Sequence, residues 1–383
     1  MAIETHTGRL GIAAPSHGTW IEVQLDRIFR NLQRMREKSC SGQQVMAVVK
    51  ANAYGHGLVP VAKALQDKVE FFGIASLREA SLLREQGIDS PLLVFGRLFP
   101  DELHYALQKN LTLTVSSFEE ARVISETAVS IGRRAPVHVK VDTGMGRFGV
   151  PYPKSFSEIV TMARFPGIQL DGIYTHFPTA EKHPDFFTES QLANFEKLIR
   201  DLEARGISFP NRHAANSAGA LRFKSDVLNL IRPGIALYGI YPDASFEREI
   251  ELEPALALKS RIALLKTLEP GDSVGYGREF MASSATKIAV LPVGYAQGYP
   301  FHLSGKGCVL YRGKRYKIAG RVSMDSIAVE LGNVTTARVG DEMVLLGSYG
   351  EEKIRAEELA GLAQTIPYEI VTRLDPGLPR IYR

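Results

Sequence analysis

Lys50 closes the apolar run Val45-Met46-Ala47-Val48-Val49 and is followed by Ala51-Asn52-Ala53-Tyr54-Gly55-His56-Gly57. An amine at the end of a buried strand is partly desolvated. Desolvation lowers its pKa from about 10.4 and frees it for Schiff-base chemistry. A lone lysine there is more readily a snorkelling side chain, but the company of Tyr54, His56 and two glycines reverses that preference in favour of the chemical reading. Val137-His138-Val139-Lys140-Val141-Asp142 puts three titratable side chains on one face of a strand, which calls for a cavity or a polar network. The next segment, Gly144-Met145-Gly146-Arg147-Phe148-Gly149, matches the dinucleotide fingerprint letter for letter. That fingerprint opens a helix in the first strand–helix–strand unit, whereas Pro151 and Pro153 follow here at once. Arg147 is instead read as a donor to an anion or phenolate, with a plain surface arginine as the alternative.

Three more strand ends carry polar groups: Thr175-His176-Phe177, His213-Ala214-Ala215-Asn216-Ser217 and Arg232-Pro233-Gly234-Ile235. If they close a barrel, the last two are where such barrels bind phosphate, and Ser217, Gly234 and Ile235 fit that geometry. His176 taken alone is a satisfied buried histidine. Gly271-Asp272-Ser273-Val274-Gly275-Tyr276-Gly277 sets a tyrosine between glycines, a turn that either pushes the phenol outward or is simply a hairpin tip. Gly320-Arg321-Val322-Ser323-Met324-Asp325 is a second tight segment. No HExxH, no paired cysteine spacing and no GxSxG elbow occurs, so neither a metal site nor a serine hydrolase is expected.

The elements that must position these groups alternate. Strand-like runs cover Val45–Val49, Phe71–Ala75, Leu92–Phe95, Leu111–Val115, Val137–Val141, Leu170–Thr175, Arg212–Ala215 and Leu230–Leu237. Helical spacing lies between several of them, as in Phe118, Ala121, Ile124 and Ala128, or Leu192, Phe195, Leu198, Ile199 and Leu202. Eight alternations in some 200 residues predict an α/β fold with an N-terminal (β/α)8 barrel, an open doubly wound sheet being the second choice. After Tyr241 a polar stretch, Pro242–Glu253, reads as a linker. Short runs follow at Ile262–Leu265, Ile288–Leu291, Cys308–Tyr311, Ile327–Glu330 and Met343–Leu346, with one helix near Arg355–Gln364. They predict a smaller, mostly antiparallel β domain. The division is placed at 1–245 and 246–383.

Composition agrees with a globular pair of domains: 383 residues, 45% hydrophobic and 23% charged. A net charge of +4, with no basic run interleaved with aromatics, gives no reason to expect nucleic acid as partner. No run approaches the ~20 apolar residues of a membrane span, and Met1–Pro15 lacks the apolar stretch of a signal peptide. Two cysteines, Cys40 and Cys308, cannot build a disulfide framework, so a reducing, cytoplasmic location is expected.

Taken together, the blocks at Lys50, Lys140–Arg147, Thr175–Phe177, His213–Ser217 and Arg232–Ile235 resemble the alanine racemases, which are pyridoxal 5'-phosphate enzymes. So do the Tyr276 turn, Gly294-Tyr295-Ala296, Met324-Asp325 and Pro367-Tyr368-Glu369. The resemblance runs from Lys50 to Arg380. It implies a barrel with a C-terminal β domain, and interconversion of L- and D-alanine by two bases, supplying D-alanine for the bacterial wall. Lys50 is then the covalent anchor of the cofactor and the base on one face of Cα. Tyr276, contributed by the partner subunit of a homodimer with shared sites, is the base on the other.

The resemblance also implies that Arg232 faces the pyridine nitrogen and that His176 braces it. Arg147 binds the cofactor phenolate and the substrate carboxylate, assisted by the Met324 amide of the partner chain. Tyr54, Ser217, Gly234, Ile235 and Tyr368 hold the phosphate, and Lys140 is a candidate for carbamylation. The sequence departs from the family pattern at Gln297, Phe301, Ser323, Ser326 and Gly377-Leu378-Pro379-Arg380, which bears on substrate range and rate. Rival readings are a racemase of broader range that takes serine, a related decarboxylase of basic amino acids, a non-catalytic pyridoxal-phosphate carrier and, more distantly, an NAD-dependent oxidoreductase.

Overall fold

Runs of valine, isoleucine and leucine at the expected places form a parallel sheet whose strands are buried on both faces, as near-continuous apolar runs require. The structure is a computed structural model and describes residues 17–39, 42–182 and 184–383. Met1–Pro15 and Cys40, on which two of the expectations above rest, lie outside the described residues.

The chain divides into two compact units, one of which holds Val23–Leu256, Ile366–Pro376 and Tyr382–Arg383. Among its described residues, eight parallel strands run Gln44–Val48, Phe71–Ile74, Leu92–Val94, Thr112–Val115, Ala135–Asp142, Ile168–Tyr174, Asn211–His213 and Leu230–Ile231. They neighbour one another in chain order, and the eighth lies beside the first, with Leu230 opposite Gln44. Between the seventh and eighth, the Asn229 N–H donates to the Arg212 carbonyl at 3.0 Å and the Arg232 N–H to that of Ala215 at 2.9 Å. The sheet is therefore a nearly closed barrel. Helices such as Leu77–Glu85, Phe118–Ser130 and Phe186–Glu203 connect its strands. Their starts are capped by Ser76, Ser117 and Asp185, whose side chains accept early N–H groups.

Two expectations for this unit change. The run Leu230–Leu237 is a strand only to Ile231, and Ile235–Tyr238 is a 3-10 turn. Pro233 has no N–H for the ladder and the chain turns at Gly234. The polar stretch Pro242–Glu253 is no free linker. It holds the 3-10 turn Ala244–Arg248, with Phe246 buried under the Arg222 guanidinium at 3.7 Å. Glu253 pairs with Arg30 at 2.8 Å and Arg34 at 2.9 Å.

The other unit comprises Met1–Glu22, Ala257–Thr365 and Gly377–Ile381, of which residues from 17 onward are described. It is mostly antiparallel, as expected. One sheet includes Cys308–Tyr311 paired with Lys314–Lys317; a second orders Leu264–Leu268, Thr286–Leu291 and Ile327–Gly332. The expected strand Ile262–Leu265 straddles a break. The Ile262 N–H bonds to Asp341 and that of Ala263 to Val290, so the chain passes from one sheet to the other at that point.

Candidate active site

The first barrel strand ends at Val48 and the chain then takes an unusual turn. Ala51, Asn52, Ala53 and Tyr54 all have φ between +52° and +55°, a left-handed turn built without glycine. Side chains hold it: Asn52 Oδ1 accepts the Leu58 N–H at 2.8 Å, and the Glu79 carboxylate accepts the N–H groups of Ala51 at 2.7 Å and Ala75 at 2.8 Å. The turn leaves Lys50 at the strand's end with its ammonium nitrogen 5.9 Å from the centre of the Phe95 ring. Burial, then the cations Arg147 and Arg232, push the Lys50 amine below its ordinary value, while Glu79 pulls it up.

Lys50, Tyr54, Lys140, Arg147, His176, Ser217, Arg232, Gly234, Ile235 and Tyr368 all line one cavity of about 460 Å³. Tyr368 reaches it from the helix Pro367–Thr372, a late segment that returns to the barrel unit. Arg232, only 3% exposed, donates from Nη1 to His213 Nδ1 at 2.8 Å. Its Nη2 donates to the carbonyls of Thr175 and Ala214 at 2.9 Å each and to His176 Nδ1 at 3.2 Å. Among the described residues Nε has no hydrogen-bond partner in the protein and remains a donor for a ligand. Burial pushes the Arg232 guanidinium down to about 10, so it stays a cation near neutrality. Burial and Arg232 together hold His176 well below its usual value, which suits a neutral acceptor.

On another side of the cavity Ser217 Oγ accepts the N–H groups of Gly234 at 2.9 Å and Ala236 at 3.3 Å. With its oxygen occupied by two donors, its hydroxyl hydrogen is free for an anion. A side chain at Gly234 would force this arrangement to shift: its Cβ would stand 2.5 Å from Tyr54 Oη. The Tyr54 ring lies 5.0 Å from Tyr238 and 6.1 Å from Tyr368, and Tyr238 Oη in turn donates to the Val48 carbonyl at 3.0 Å. Two phenols, a serine hydroxyl and a tight backbone turn thus gather in one corner.

The three titratable groups of the fifth strand part company. His138 is buried in the barrel, Lys140 faces the cavity, and Asp142 accepts the Gly144 and Gly146 N–H groups of its own loop at 3.0 and 3.1 Å. Lys140 lies 5.6 Å from both the Phe148 and Tyr174 rings. Burial, then Arg147 and Arg232, push its amine down to about 8. Tyr276 and Met324 belong to the other unit and are 72% and 59% exposed. Gly275 and Gly277, both with φ near +70°, flank Tyr276 at the tip of a hairpin that pairs Ser273–Val274 with Phe280–Met281, so the segment is a hairpin tip and also leaves the phenol exposed.

Glu79, Tyr238 and Asp171 escaped the sequence reading. Glu79 sits at the third position of a helix capped by Ser76, a capping signature that a closer reading could have found, though its reach to Ala51 has no local signal. Asp171 touches His138 across two strands. Nothing in the spacing announces that pair.

Sequence models of the alanine racemase N-terminal and C-terminal domains match residues 23–242 and 255–382. The chain is 41% identical over 366 residues to the alanine racemase of Desulforamulus reducens, covering 95% of this chain and 98% of that one. It is 42% identical over 368 residues to the alanine racemase of Carboxydothermus hydrogenoformans, covering 95% and 99%. The alanine racemase structure from Clostridium difficile 630 superposes with a TM-score of 0.91 at 35% identity, covering 97% of both chains. With two domain models in the right order, identity sustained over nearly the whole length and a shared fold, the chain belongs to the alanine racemase family.

Proposed function

We propose that this chain interconverts L- and D-alanine in the cytoplasm with pyridoxal 5'-phosphate as cofactor, supplying D-alanine for the bacterial wall. It is an amino-acid racemase by family, and that family depends on pyridoxal phosphate. The observation that carries the residue assignment is the gathering in one cavity of a depressed lysine amine, a buried arginine with an unused donor and a hydroxyl-lined turn. These three features fit the cofactor's aldehyde, ring nitrogen and phosphate. Lys50 would anchor it covalently, and Arg232 would face the ring nitrogen. Tyr54, Ser217, Gly234, Ile235 and Tyr368 would hold the phosphate. When bound, the cofactor supplies an electron sink for the carbanion at the substrate Cα.

The protein's share is proton transfer, orientation and restraint. Inversion requires a proton removed from one face of Cα and returned on the other. Lys50 Nζ serves one face, its depressed pKa leaving a larger fraction neutral at working pH. Tyr276 Oη serves the other, coming from the partner subunit of a homodimer, and its outward turn and exposure support that role. Arg147 binds the substrate carboxylate, with the Met324 amide assisting. Arg232 can only donate and stays charged, so it leaves the ring nitrogen largely unprotonated and keeps the sink weak, which limits side reactions. His176 and His213 seat that guanidinium. At Lys140, addition of carbon dioxide to the neutral amine with release of a proton makes an acceptor that orients Arg147.

The test is to load the protein with pyridoxal phosphate, add L-alanine, L-serine and L-lysine separately, and follow optical rotation. Loss of rotation with alanine is the expected result. Faster loss with serine assigns the broader-range racemase instead. A protein that binds the cofactor yet leaves all three unchanged is a carrier, and the proposal is then wrong.

A further inference from the structure

The barrel interior holds a polar chain that leads away from the cavity. Arg232 Nη1 lies 2.8 Å from His213 Nδ1, His213 Nε2 lies 2.8 Å from His138 Nδ1, and His138 Nε2 lies 3.3 Å from Asp171 Oδ2. Both imidazoles are fully buried. Asp171 is only partly buried and lines a second cavity of about 700 Å³ at the N-terminal ends of the strands, with Asn211, Lys109 and Asn110. Asn211 Nδ2 donates to the Asp171 carbonyl at 2.9 Å and lies 3.3 Å from Oδ2.

Elementary chemistry allows one arrangement of hydrogens along this chain. A guanidinium only donates and a carboxylate only accepts. His213 therefore turns a bare Nδ1 to Arg232 and carries its hydrogen on Nε2. His138 accepts that hydrogen at Nδ1 and carries its own on Nε2, which it donates to Asp171. A proton added to either ring would set two donors against each other. Burial, together with the Arg232 charge, holds both rings below their ordinary values and so neutral, although Asp171 pulls His138 the other way. The barrel makes room for the chain: a Cβ on Gly172 would stand 2.6 Å from the His138 ring. Tyr174 stacks on His213 at 4.8 Å.

We propose that Asp171 is a positioning residue for the racemase site: from the N-terminal face of the barrel it fixes the tautomers of His138 and His213, and thereby the bare nitrogen on which Arg232 is seated. The inference rests on the role of Arg232 at the cofactor's ring nitrogen and extends it to a carboxylate outside the cavity. Without an acceptor at 171 the order of hydrogens is held from the Arg232 end alone, and the form with the His138 hydrogen on Nδ1 becomes accessible. His213 must then carry its hydrogen on Nδ1 as well, facing the Arg232 N–H, and the guanidinium gives way.

Nitrogen NMR of the full chain labelled at histidine, with and without pyridoxal phosphate, reads the tautomers directly. His138→Gln and His213→Gln assign the signals. Wild type should show both rings neutral with hydrogen on Nε2; an imidazolium or an Nδ1 hydrogen at either ring overturns the proposal without any variant at 171. Asp171→Ala should populate the Nδ1 form at both rings, whereas Asp171→Asn, which still offers an acceptor oxygen, should keep the wild-type pattern. In the loaded enzyme Asp171→Ala should shift the cofactor's absorption and weaken its binding roughly tenfold, the worth of about one hydrogen bond. It should lower kcat with KM for alanine changed less than about twofold. Unchanged tautomers in Asp171→Ala refute the proposal and leave the role of Arg232 standing. Flipped tautomers with unchanged absorption and affinity refute the link to Arg232, provided Arg232→Ala changes both. If Arg232→Ala changes neither, it is the ring-nitrogen role that fails.

Discussion

With one methyl group, Gly234→Ala tests the corner proposed to hold the phosphate. The backbone there has φ of −119°, so the left-handed penalty does not arise, although ψ of −92° lies beyond the usual helical range and adds some strain. The main cost is contact: the new carbon would stand 2.5 Å from Tyr54 Oη and 3.1 Å from its ring carbon. Tyr54 cannot simply step aside, because Tyr238 and Tyr368 flank its ring. Overpacking of this kind costs about 1–3 kcal/mol of stability. If the hydroxyl is driven from the phosphate, one hydrogen bond to a charged group is lost, about 1.5–3 kcal/mol. That is roughly a 10- to 150-fold rise in the Kd for pyridoxal phosphate, at 1.4 kcal/mol per decade. Tyr54→Phe should cause a similar loss without the overpacking. Combining the two removes the atom at 2.5 Å and leaves only the milder 3.1 Å contact to the ring, so the double variant should bind nearly as well as Tyr54→Phe alone. Titration of cofactor-free protein, followed by absorbance and paired with thermal melts, measures each corner of the cycle. Wild-type affinity in a folded Gly234→Ala, or full additivity in the double variant, would refute the reasoning.

Lys50→Ala should lose the borohydride-reducible adduct and racemisation together; retention of either by the purified variant removes Lys50 from its role. In Tyr276→Phe, solvent deuterium should enter D-alanine far faster than net racemisation occurs, because the Lys50 face still exchanges, and equal slow exchange of both enantiomers contradicts the two-base assignment. Mixing inactive Lys50→Ala with inactive Tyr276→Phe should restore activity in exchanged heterodimers, and failure despite proven exchange places both bases in one chain. The Lys140 amine, held down to about 8, passes from mostly protonated at pH 7 to mostly neutral at pH 9. Labelled bicarbonate should therefore give a carbamate signal that grows over that interval and vanishes in Lys140→Ala; no signal at pH 9 rules the modification out.

The barrel was legible because parallel strands buried on both faces leave unbroken apolar runs, and each of the eight was found within a residue or two, except for the end of the last. Its misreading shows the limit of periodicity: Ile235 and Leu237 continue the apolar run, but Pro233 and Gly234 have already turned the backbone. The strand Thr19–Val23, buried throughout, precedes the barrel in sequence and pairs within the β sheet of the other unit, a long-range choice that no local pattern specifies. Lys50, Ser217 and Gly234 could be read from strand ends alone. Tyr54, Tyr368 and the roles of Arg232 and His176 came from resemblance, since a phenol returning from residue 368 to the barrel cavity has no signal in spacing. The link from Asp171 to His138 depends on strand register and lies beyond any one-dimensional reading.

The turn after Lys50 has a consequence for how the protein opens. Four consecutive non-glycine residues in the left-handed region cost about 1–2 kcal/mol each, so the segment stores about 4–8 kcal/mol against a total stability of about 5–15. Backbone hydrogen bonds such as Ala53 N–H to the Val49 carbonyl at 2.8 Å, the surrounding barrel, and Glu79 and Asn52 as clasps keep it wound. Such a segment behaves as a sprung latch. Its amides should exchange with solvent through local openings well before those of the barrel strands beside it. The covalent adduct proposed at Lys50 should then act as the bolt, slowing exchange from Ala51 to Gly57 more than anywhere else in the chain.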